Sequence, residues 1–263
     1  MSPFPADFAL PAAETPPAAD AAPEESLPCA LVVVAAGQGR RVGGPLPKQY
    51  LPLAGVPVLL HTLRRLHAHP LIDPIQPVIA ADGLALWEEW IGPHLAELPR
   101  VRPPVFGGAE RQDSVLAGLR ALDPPPLWVG IHDAARPLVS LALLQRLLEG
   151  RRGAQALIPA LPIADTVKRS LDGTWIHATE ERSQLWLAQT PQFFRHATIL
   201  AAHARPRQHP ATDDAALMEE MGLPVRLIPG DPANLKITRP EDLPLAAWRL
   251  ARETTPDVLE IHS

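Results

Sequence analysis

The sequence predicts an α/β fold with a mainly parallel sheet, and three observations indicate it. Short apolar runs alternate with segments of helical period along most of the 263 residues, which is typical of strands connected by helices. Polar loops follow several of these runs, where the carboxyl ends of parallel strands would meet. The alternation breaks at residues 160–188, where Asp172 and Gly173 form a strong hairpin signal. We therefore also expect a β-hairpin arm that leaves the sheet.

The predicted strands and helices alternate in chain order. Pro57 suits the first turn of a helix, where its missing N–H is not needed, whereas Pro77 predicts an edge or strand-start position. Strands are expected over residues 31–36, 75–81, 101–106, 127–132, 154–159, 190–194 and 224–229. Helices are expected over 57–67 and 84–96, from the turn at 107–111 through 119, and after residues 140, 196, 215 and 243.

Composition limits the classes of function and the domain organisation. The net charge of −5 argues against general nucleic-acid binding, and no apolar run reaches membrane-spanning length. Cys29 is the only cysteine, so an intrachain disulfide is impossible and a cytoplasmic setting is expected. Residues 1–27 are rich in proline and alanine and are expected to be a disordered tail. One domain is expected over 28–253, followed by a short tail over 254–263.

The loop after the first strand is the strongest candidate for a binding site. Gly37 and Gly39 allow close approach of backbone N–H groups to an anion, and Arg41 and Lys48 add positive charge. The dinucleotide fingerprint does not fit, because prolines prevent an immediate helix, and the ATPase P-loop lacks its Gly-Lys-Ser/Thr. The loop therefore indicates a phosphate site with Lys48 at its far end. The alternative is a surface loop with solvated arginines.

Other polar residues are expected at the same edge of the sheet. Asp133 follows a strand and could hold Mg²⁺ or serve as a turn or capping aspartate. Ser114 could donate to a base or sugar, or simply occupy a helix position, and His132 is interpreted as structural. The sequence has no Cys–His pair, Gly-x-Ser-x-Gly or His-x-x-x-His, so covalent and zinc catalysis are poorly supported.

Seven segments together resemble one enzyme family. In order, they are AAGQGRRVGGPLPKQY, GGAERQDSV, HDAARP, DTVKRS, LWLAQTPQFF, TDDA and NLKITRPEDL. They resemble the 2-C-methyl-D-erythritol 4-phosphate cytidylyltransferases of the non-mevalonate isoprenoid pathway, over about residues 28–252. One departure is Val34, where the family usually has proline.

The resemblance implies a fold and a reaction. The fold would be a Rossmann-like sheet of the nucleotidyltransferase type. The enzyme would transfer a cytidylyl group from CTP to the methylerythritol phosphate and release pyrophosphate, with Mg²⁺ or another divalent cation as cofactor. A ribitol- or other polyol-phosphate cytidylyltransferase and a regulatory nucleotide-binding module that has lost catalysis remain as alternatives.

The resemblance also implies roles for individual residues. Catalytic roles would fall to Arg41, Lys48, Arg182 and Lys236, of which Arg41 and Lys48 would stabilise the α-phosphate. CTP would contact Ala35, Ala36, Gly37, Gly39, Gly108, Ala109, Ser114 and Ala134. The second substrate would contact Asp133, Arg136, Thr166, Arg182, Thr212 and Lys236, with Asp133 also the candidate metal ligand.

The resemblance further implies a homodimer in which the arms are exchanged, without nucleic-acid or membrane partners. Arg182 and Lys236 would grip the phosphate of the second substrate. Structural alternatives for these two residues are salt bridges within the arm and on the surface.

Overall fold

A computed structural model of the chain describes residues 23–37, 46–205 and 211–253. Gly39 and Arg41, for which the sequence predicts contacts with phosphate, lie outside the described residues, as do most of the proposed N-terminal tail and the C-terminal tail. The described helices include none that is long and apolar enough to cross a membrane.

The strands and helices follow the predicted alternation closely. The strands are β1 (Cys29–Ala35), β2 (Pro52–Leu53), β3 (Val56–Pro57), β4 (Ile72–Ile79), β5 (Val105–Phe106), β6 (Trp128–Asp133), β7 (Ala156–Pro162), β8 (Lys168–Arg169), β9 (Ala178–Thr179), β10 (Trp186–Ala188), β11 (Gln192–Arg195) and β12 (Val225–Pro229). The helices are α1 (Val58–His67), α2 (Leu84–Trp90), α3 (Arg111–Arg120), α4 (Leu141–Glu149), α5 (His196–His203), α6 (Ala215–Glu220) and α7 (Asp242–Glu253).

The described central sheet is mixed but mostly parallel, as the sequence predicts. Strands β5, β4, β1 and β6 lie side by side and run parallel. Strand β11 is antiparallel to both β6 and β7, and β12 pairs in parallel with the other side of β7. Strand β10 extends the β11 side of β7, so residues 186–195 run beside β7 in the opposite direction.

Both faces of the sheet are covered, which explains why β1 is apolar throughout. Leu31 and Val33 face a core that includes α1 and α4, whereas Ala30 and Val32 face a core with α3 and α5. All four are fully buried. A strand buried on both faces has no position at which a polar side chain would be favourable. Its sequence therefore does not alternate between apolar and polar residues. Burying each larger aliphatic side chain contributes about 1.5–3 kcal/mol.

Helix α3 lies unusually close to the sheet. A Cβ atom built on Gly118 would lie 2.4 Å from Val32 Cγ1 and 2.8 Å from Val78 Cγ2, closer than real Cβ contacts. The helix can therefore approach β1 and β4 only because residue 118 has no side chain. This contact places the first turn of α3, with Arg111 and Ser114, near the carboxyl end of β1.

The predicted edge position of Pro77 is wrong. Pro77 lies inside β4, which pairs with β1 on one side and β5 on the other. On the outer side, Ile75 bonds to Arg100 and Arg102, and Ile79 accepts from Gly107. Because backbone groups alternate between the two sides of a strand, position 77 faces the same outer side as Ile75 and Ile79. It lies between the bridge to Val101 and the pairing with β5, where the ladder of hydrogen bonds is interrupted. A strand next to the edge can thus accommodate proline at a gap in pairing.

The arm predicted from Asp172 and Gly173 contains a short antiparallel pair, β8 with β9. Asp172 Oδ1 accepts hydrogen bonds from the backbone of Thr174 and Trp175, which closes the turn, and Gly173 has a φ of 76°. Trp175 and Ile176 are 76% and 67% exposed. Two residues per strand cannot form a core, so the arm needs a packing partner to be stable.

The chain is already in contact with the domain before the predicted boundary at residue 28. Residues Glu24–Ser26 form a 3-10 turn, and Glu24 forms an ion pair with Arg195 at 2.7 Å. The fully buried Arg151 donates to the backbone oxygen of Leu27 at 2.9 Å. Of the segment assigned to a disordered tail, residues 23–27 therefore belong to the folded domain.

Candidate active site

A cavity of about 320 Å³ opens at the carboxyl ends of β1 and β6. Its walls come from the end of β1, the turn that begins at Lys48, the first turn of α3, the end of β6 and the segment after Asn234. Ten of the residues predicted from sequence line this cavity: Ala35, Ala36, Gly37, Lys48, Gly108, Ala109, Ser114, Asp133, Ala134 and Lys236. They come from five separate segments of the chain, and the parallel sheet brings them together.

The α3 wall is built by a capping box and two glycines. The Glu110 side chain accepts from the backbone N–H of Asp113, and the Asp113 carboxylate accepts from Glu110 N–H at 3.1 Å. A Cβ on Gly108 would lie 2.3 Å from Asp113 Cβ, and one on Gly107 would lie 2.4 Å from Ser114 Oγ. Side chains at both glycines would thus collide with the capped turn. Ser114 itself is buried at the wall and donates to the Glu110 backbone oxygen.

Gln49 holds the two ends of the glycine loop together. Its Nε2 donates to the backbone oxygens of Ala35, at 2.6 Å, and Gly37, at 3.1 Å. The neighbouring Lys48 Nζ donates to the backbone oxygen of Ile237 at 3.2 Å. Lys48 therefore lies where the loop meets the segment that carries Lys236. No role was predicted for Gln49 from the sequence, although its place directly after Lys48 is a usable signal.

Asp133 is the charged centre of the cavity. Lys236 Nζ lies 2.7 Å from Asp133 Oδ2, and Arg111 Nε lies 3.5 Å from Oδ1. Burial favours the neutral acid, but the charges of Lys236 and Arg111 outweigh it and hold the pKa of Asp133 well below its usual range. Asp133 therefore stays ionised at any physiological pH.

Arg111 also connects Asp133 to a second carboxylate, which lies in the protein interior. Arg111 Nη2 lies 2.7 Å from Asp214 Oδ2, and His203 Nε2 lies 3.0 Å from Asp214 Oδ1. The side chains of Asp214 and His203 are each 1% exposed. Burial acts to raise the pKa of Asp214, but the Arg111 charge and the hydrogen bonds lower it overall. The sequence analysis assigned no role to Arg111, Asp214 or His203, although the first two lie within motifs that it quoted.

The Lys236 segment is pinned by buried amide groups. Gln189 Nε2 donates to the Asp231 backbone oxygen at 2.9 Å, and its Oε1 accepts from Asp231 N–H at 3.0 Å. Asn234, which is fully buried, donates through Nδ2 to the Thr190 backbone oxygen at 2.8 Å. These bonds fix the segment against the chain that returns from the arm.

Arg136 lies beside the cavity and is absent from its described lining. Its Nη1 donates to the Asn234 backbone oxygen at 2.7 Å, and the residue is 9% exposed. The structure therefore places Arg136 behind the Lys236 segment as a support, whereas the resemblance implies a direct contact with substrate.

His132 supports Asp133 through a short chain of hydrogen bonds. The backbone oxygen of Arg136 can only accept, so His132 Nε2 donates to it at 3.2 Å and Nδ1 is the acceptor. Thr190 Oγ1 accordingly donates to His132 Nδ1 at 3.1 Å and accepts from Asp133 N–H at 3.1 Å. The interpretation of His132 as structural fits this geometry, and the role is to hold the loop that carries Asp133.

Besides Arg136, three further predicted substrate residues lie apart from the cavity lining in the described chain. Thr166 and Arg182 are exposed residues of the arm, and Arg182 Nη1 donates to the backbone oxygen of Ala164. Thr212 is exposed and precedes the buried Asp214 by two residues.

The donor set of the cavity fits a metal ion that arrives with a substrate. In residues 23–37, 46–205 and 211–253, no three His, Cys, Asp or Glu side chains are grouped to hold a metal ion. Asp133 still provides one ionised carboxylate in the cavity. Mg²⁺ is commonly bound by one or two carboxylates together with substrate phosphates, so Asp133 is sufficient for that mode.

Comparison with known proteins gives one consistent family. The family model described as 2-C-methyl-D-erythritol 4-phosphate cytidylyltransferase matches residues 29–252. The protein of that name from Symbiobacterium thermophilum is 42% identical over 229 residues, which cover 86% of this chain and 94% of the relative. The bifunctional enzyme IspD/IspF of Rhodospirillum rubrum is 46% identical over 215 residues. That match covers 81% of this chain but 55% of the relative, so the chain spans about half of the bifunctional protein.

Solved structures agree with the sequence comparison. The chain is similar to 4-diphosphocytidyl-2C-methyl-D-erythritol synthase from Anaerococcus prevotii, with a TM-score of 0.76 and 30% identity. That match covers 87% of this chain and 98% of the other. The 2-C-methyl-D-erythritol 4-phosphate cytidylyltransferase of Thermus thermophilus matches with a TM-score of 0.67 and 31% identity, over 86% of this chain and 100% of the other.

The buried His132 generates a prediction about stability in acid. Burial lowers the pKa of His132 from 6.5 to about 4, so the unfolded chain binds a proton more readily than the folded one. This contribution to stability is complete above pH 6.5 and is lost as the pH falls toward 4. From pH 7 to pH 5, His132 should lower the free energy of unfolding by about 2 kcal/mol.

Urea unfolding of wild type and His132→Gln at pH 7, 6 and 5 measures this effect. Between pH 7 and pH 5, the free energy of unfolding of the variant should fall by about 2 kcal/mol less than that of wild type, whatever the variant's stability at pH 7. His177→Gln is the matched control, because His177 is exposed on the arm, and it should keep the wild-type slope. Equal slopes in wild type and His132→Gln would contradict the assignment of a buried neutral imidazole.

Proposed function

The chain belongs to the 2-C-methyl-D-erythritol 4-phosphate cytidylyltransferase family, and from this premise we propose how its cavity performs the reaction. The enzyme transfers a cytidylyl group from CTP to 2-C-methyl-D-erythritol 4-phosphate. The products are 4-diphosphocytidyl-2-C-methyl-D-erythritol and pyrophosphate. The observation that carries the proposal is the convergence of Lys48, Lys236 and the backbone of Ala35–Gly37 on one cavity beside Ser114.

The reaction needs positioning and positive charge more than a protein nucleophile. The phosphate monoester of the acceptor is already anionic near neutral pH, and its oxygen attacks the α-phosphorus of CTP in line. The new P–O bond forms as the bond to pyrophosphate breaks, so negative charge grows on the α-phosphate oxygens. A lysine that is already in place lowers this barrier without reorganisation during the reaction.

The geometry of the cavity supports the proposed roles of its described residues, and the resemblance supplies those of Arg41 and Gly39. Lys48, held near Ile237, stabilises the α-phosphate together with Arg41. Ala35, Ala36, Gly37 and Gly39 hold the triphosphate through backbone groups. Gly108, Ala109 and Ser114 bound the base and ribose, and Ala134 completes that side. A side chain at Gly107 or Gly108 would collide with the α3 wall, so both positions have to stay glycine if the wall is to keep its shape.

Asp133 is the residue that would hold Mg²⁺ or another divalent cation. The ion would neutralise charge on the CTP phosphates and polarise them toward attack. Lys236 and Arg111 already compensate the charge of Asp133 in the described structure.

The acceptor site is proposed to be shared between two subunits. Thr212 and Lys236 would contact the acceptor from one chain, with Asp133 alongside and Arg136 supporting the Lys236 segment. Thr166 and Arg182 would come from the arm of the partner. The exposed apolar surface of Leu171, Trp175 and Ile176 supports a homodimer through exchanged arms, because such a surface is unfavourable in water. A CTP-dependent enzyme of this kind is proposed to work in the cytoplasm.

Substrate tests separate the remaining functions. Purified protein with Mg²⁺ should release pyrophosphate from CTP when methylerythritol phosphate is the acceptor, and ribitol phosphate should be used at least tenfold less efficiently. ATP and GTP should be poor donors, because the base site proposed beside Ser114 and Gly108 is assigned to the cytosine of CTP. Preference for ribitol phosphate would contradict the acceptor assignment. Absence of turnover with every polyol phosphate would support the regulatory module instead.

Substitution of Lys48 tests the catalytic role of the cavity. Lys48→Ala should lower kcat by roughly a hundredfold, because one preorganised cation is lost from the transition state. Lys168→Ala is a matched control, since Lys168 is exposed and bonds to Thr179 in the arm. It should retain kcat within about twofold. A folded Lys48→Ala enzyme with near-normal kcat would refute the assigned role.

Mixed dimers test the exchange of arms. Lys48→Ala and Arg182→Ala homodimers should both be nearly inactive. Co-refolding equal amounts gives heterodimers in half of the dimers. If Arg182 serves the partner's site, each heterodimer has one site with two defects and one intact site, so about a quarter of all sites should work.

The same experiment has a clear contrary outcome. If Arg182 acts in its own subunit, every site in the heterodimer keeps one defect. A mixture no more active than its parents, with heterodimers confirmed by native mass spectrometry, would exclude the crossed arrangement.

A further inference from the structure

Lys236 has two tasks that compete for its ammonium group. In the described structure its Nζ pairs with Asp133 at 2.7 Å, whereas the proposed function requires it to bind the acceptor phosphate. Asp133 has a side chain that is only 13% exposed, so losing Lys236 would leave a largely buried carboxylate. Removing one partner of a buried ion pair is strongly unfavourable unless another charge remains. The divalent cation proposed at Asp133 would compensate this charge once it is bound, but before that another positive charge of the protein has to remain when Lys236 moves.

Arg111 is placed to be that second charge. It contacts Asp133 through Nε at 3.5 Å and Asp214 through Nη2 at 2.7 Å. Asp214 is itself buried and receives His203 on its other oxygen. A guanidinium group can bind two carboxylates at once through different N–H groups, and a lysine ammonium cannot reproduce that fixed fork.

The two cations differ in how firmly they are held. Arg111 lies between two carboxylates, and the second of them is anchored in the interior by His203. Both side chains line the cavity, with 35% of Lys236 and 31% of Arg111 exposed, but the ion pairs of the described residues join Lys236 to Asp133 alone. An anionic ligand that enters the cavity would draw away the cation that has the weaker attachment. That cation is Lys236.

We propose that Arg111, anchored by Asp214 and His203, is a positioning residue that keeps Asp133 neutralised while Lys236 transfers from Asp133 to the acceptor phosphate. The inference rests on the proposed function, because it concerns the acceptor site of that reaction. Arg111 does not need to touch a substrate. Without it, Asp133 would retain Lys236 and the acceptor would bind poorly.

A double-mutant cycle tests this division of tasks. In Arg111→Met, the KM for methylerythritol phosphate should rise at least about tenfold, with a smaller change in the KM for CTP. In an Asp133→Asn background, the same substitution should raise the acceptor KM by less than about threefold, because position 133 then carries no charge that could retain Lys236. The loss of the Arg111–Asp214 pair is common to both backgrounds. Arg111→Lys should restore only part of the loss. Arg120→Met removes a charge from the exposed end of the same helix, and it should leave both KM values unchanged.

Direct contact of Arg111 with substrate predicts a different cycle. In that case Arg111→Met raises the acceptor KM by the same factor whether position 133 is Asp or Asn, and that result overturns the inference. An unchanged acceptor KM in Arg111→Met also overturns it. Wild-type enzyme without product formation would instead refute the proposed function itself, so the two failures are distinguishable.

A spectroscopic measurement follows Lys236 without turnover. The chain contains only three lysines, Lys48, Lys168 and Lys236, so ¹³C-lysine labelling gives three Cε signals. Lys236→Arg identifies the relevant signal. In wild type, methylerythritol phosphate without CTP should shift the Lys236 signal, and Arg111→Met should need at least about tenfold more ligand for the same shift. A Lys236 signal that does not move, or that saturates equally in both proteins, overturns the inference.

Discussion

The charge of Asp133 is the constraint on which the rest of the site depends. A carboxylate at the end of a central strand, covered by helices, is stable only when opposite charge lies beside it. Lys236 and Arg111 supply that charge from segments far away in sequence, and the backbone N–H of Asp133 is held by Thr190. The requirement therefore brings together α3, β6 and the segment after Asn234, and their meeting point is the cavity.

The fold makes this arrangement possible because each contributing segment begins from a rigid element. Strands β1 and β6 are neighbours, and their ends define the floor of the cavity. Helix α3 approaches closely at Gly118 and directs its first turn over that floor. The Lys236 segment has no regular structure of its own, so Gln189, Asn234 and Arg136 hold it by hydrogen bonds to backbone atoms. The residues of the cavity are thus held in position by helix packing on the α3 side and by buried hydrogen bonds on the Lys236 side.

Sequence patterns predicted the elements better than the contacts between them. The alternation of strands and helices and the arm follow from local signals such as apolar runs and Asp172-Gly173, and the described part of the chain confirms those elements. The position of Pro77 was wrong because an interrupted ladder depends on the neighbouring strand. The pairing of Arg111 with Asp214 joins residues 103 positions apart, and no local pattern identifies His203 as its anchor. Arg136 has the residue type of a phosphate ligand, yet tertiary packing directs its guanidinium to a backbone oxygen.

The path of the chain from the arm into the sheet connects the arm to the cavity. Residues 186–188 pair with β7, and Gln189 and Thr190, which hold the Lys236 segment and Asp133, follow at once. A residue gained or lost in β10 would shift this register and displace the cavity floor. The tip around Asp172 has no such connection and closes on its own backbone. During divergence of the family, the tip of the arm can therefore change length without displacing the cavity floor, whereas its returning strand has to keep its length.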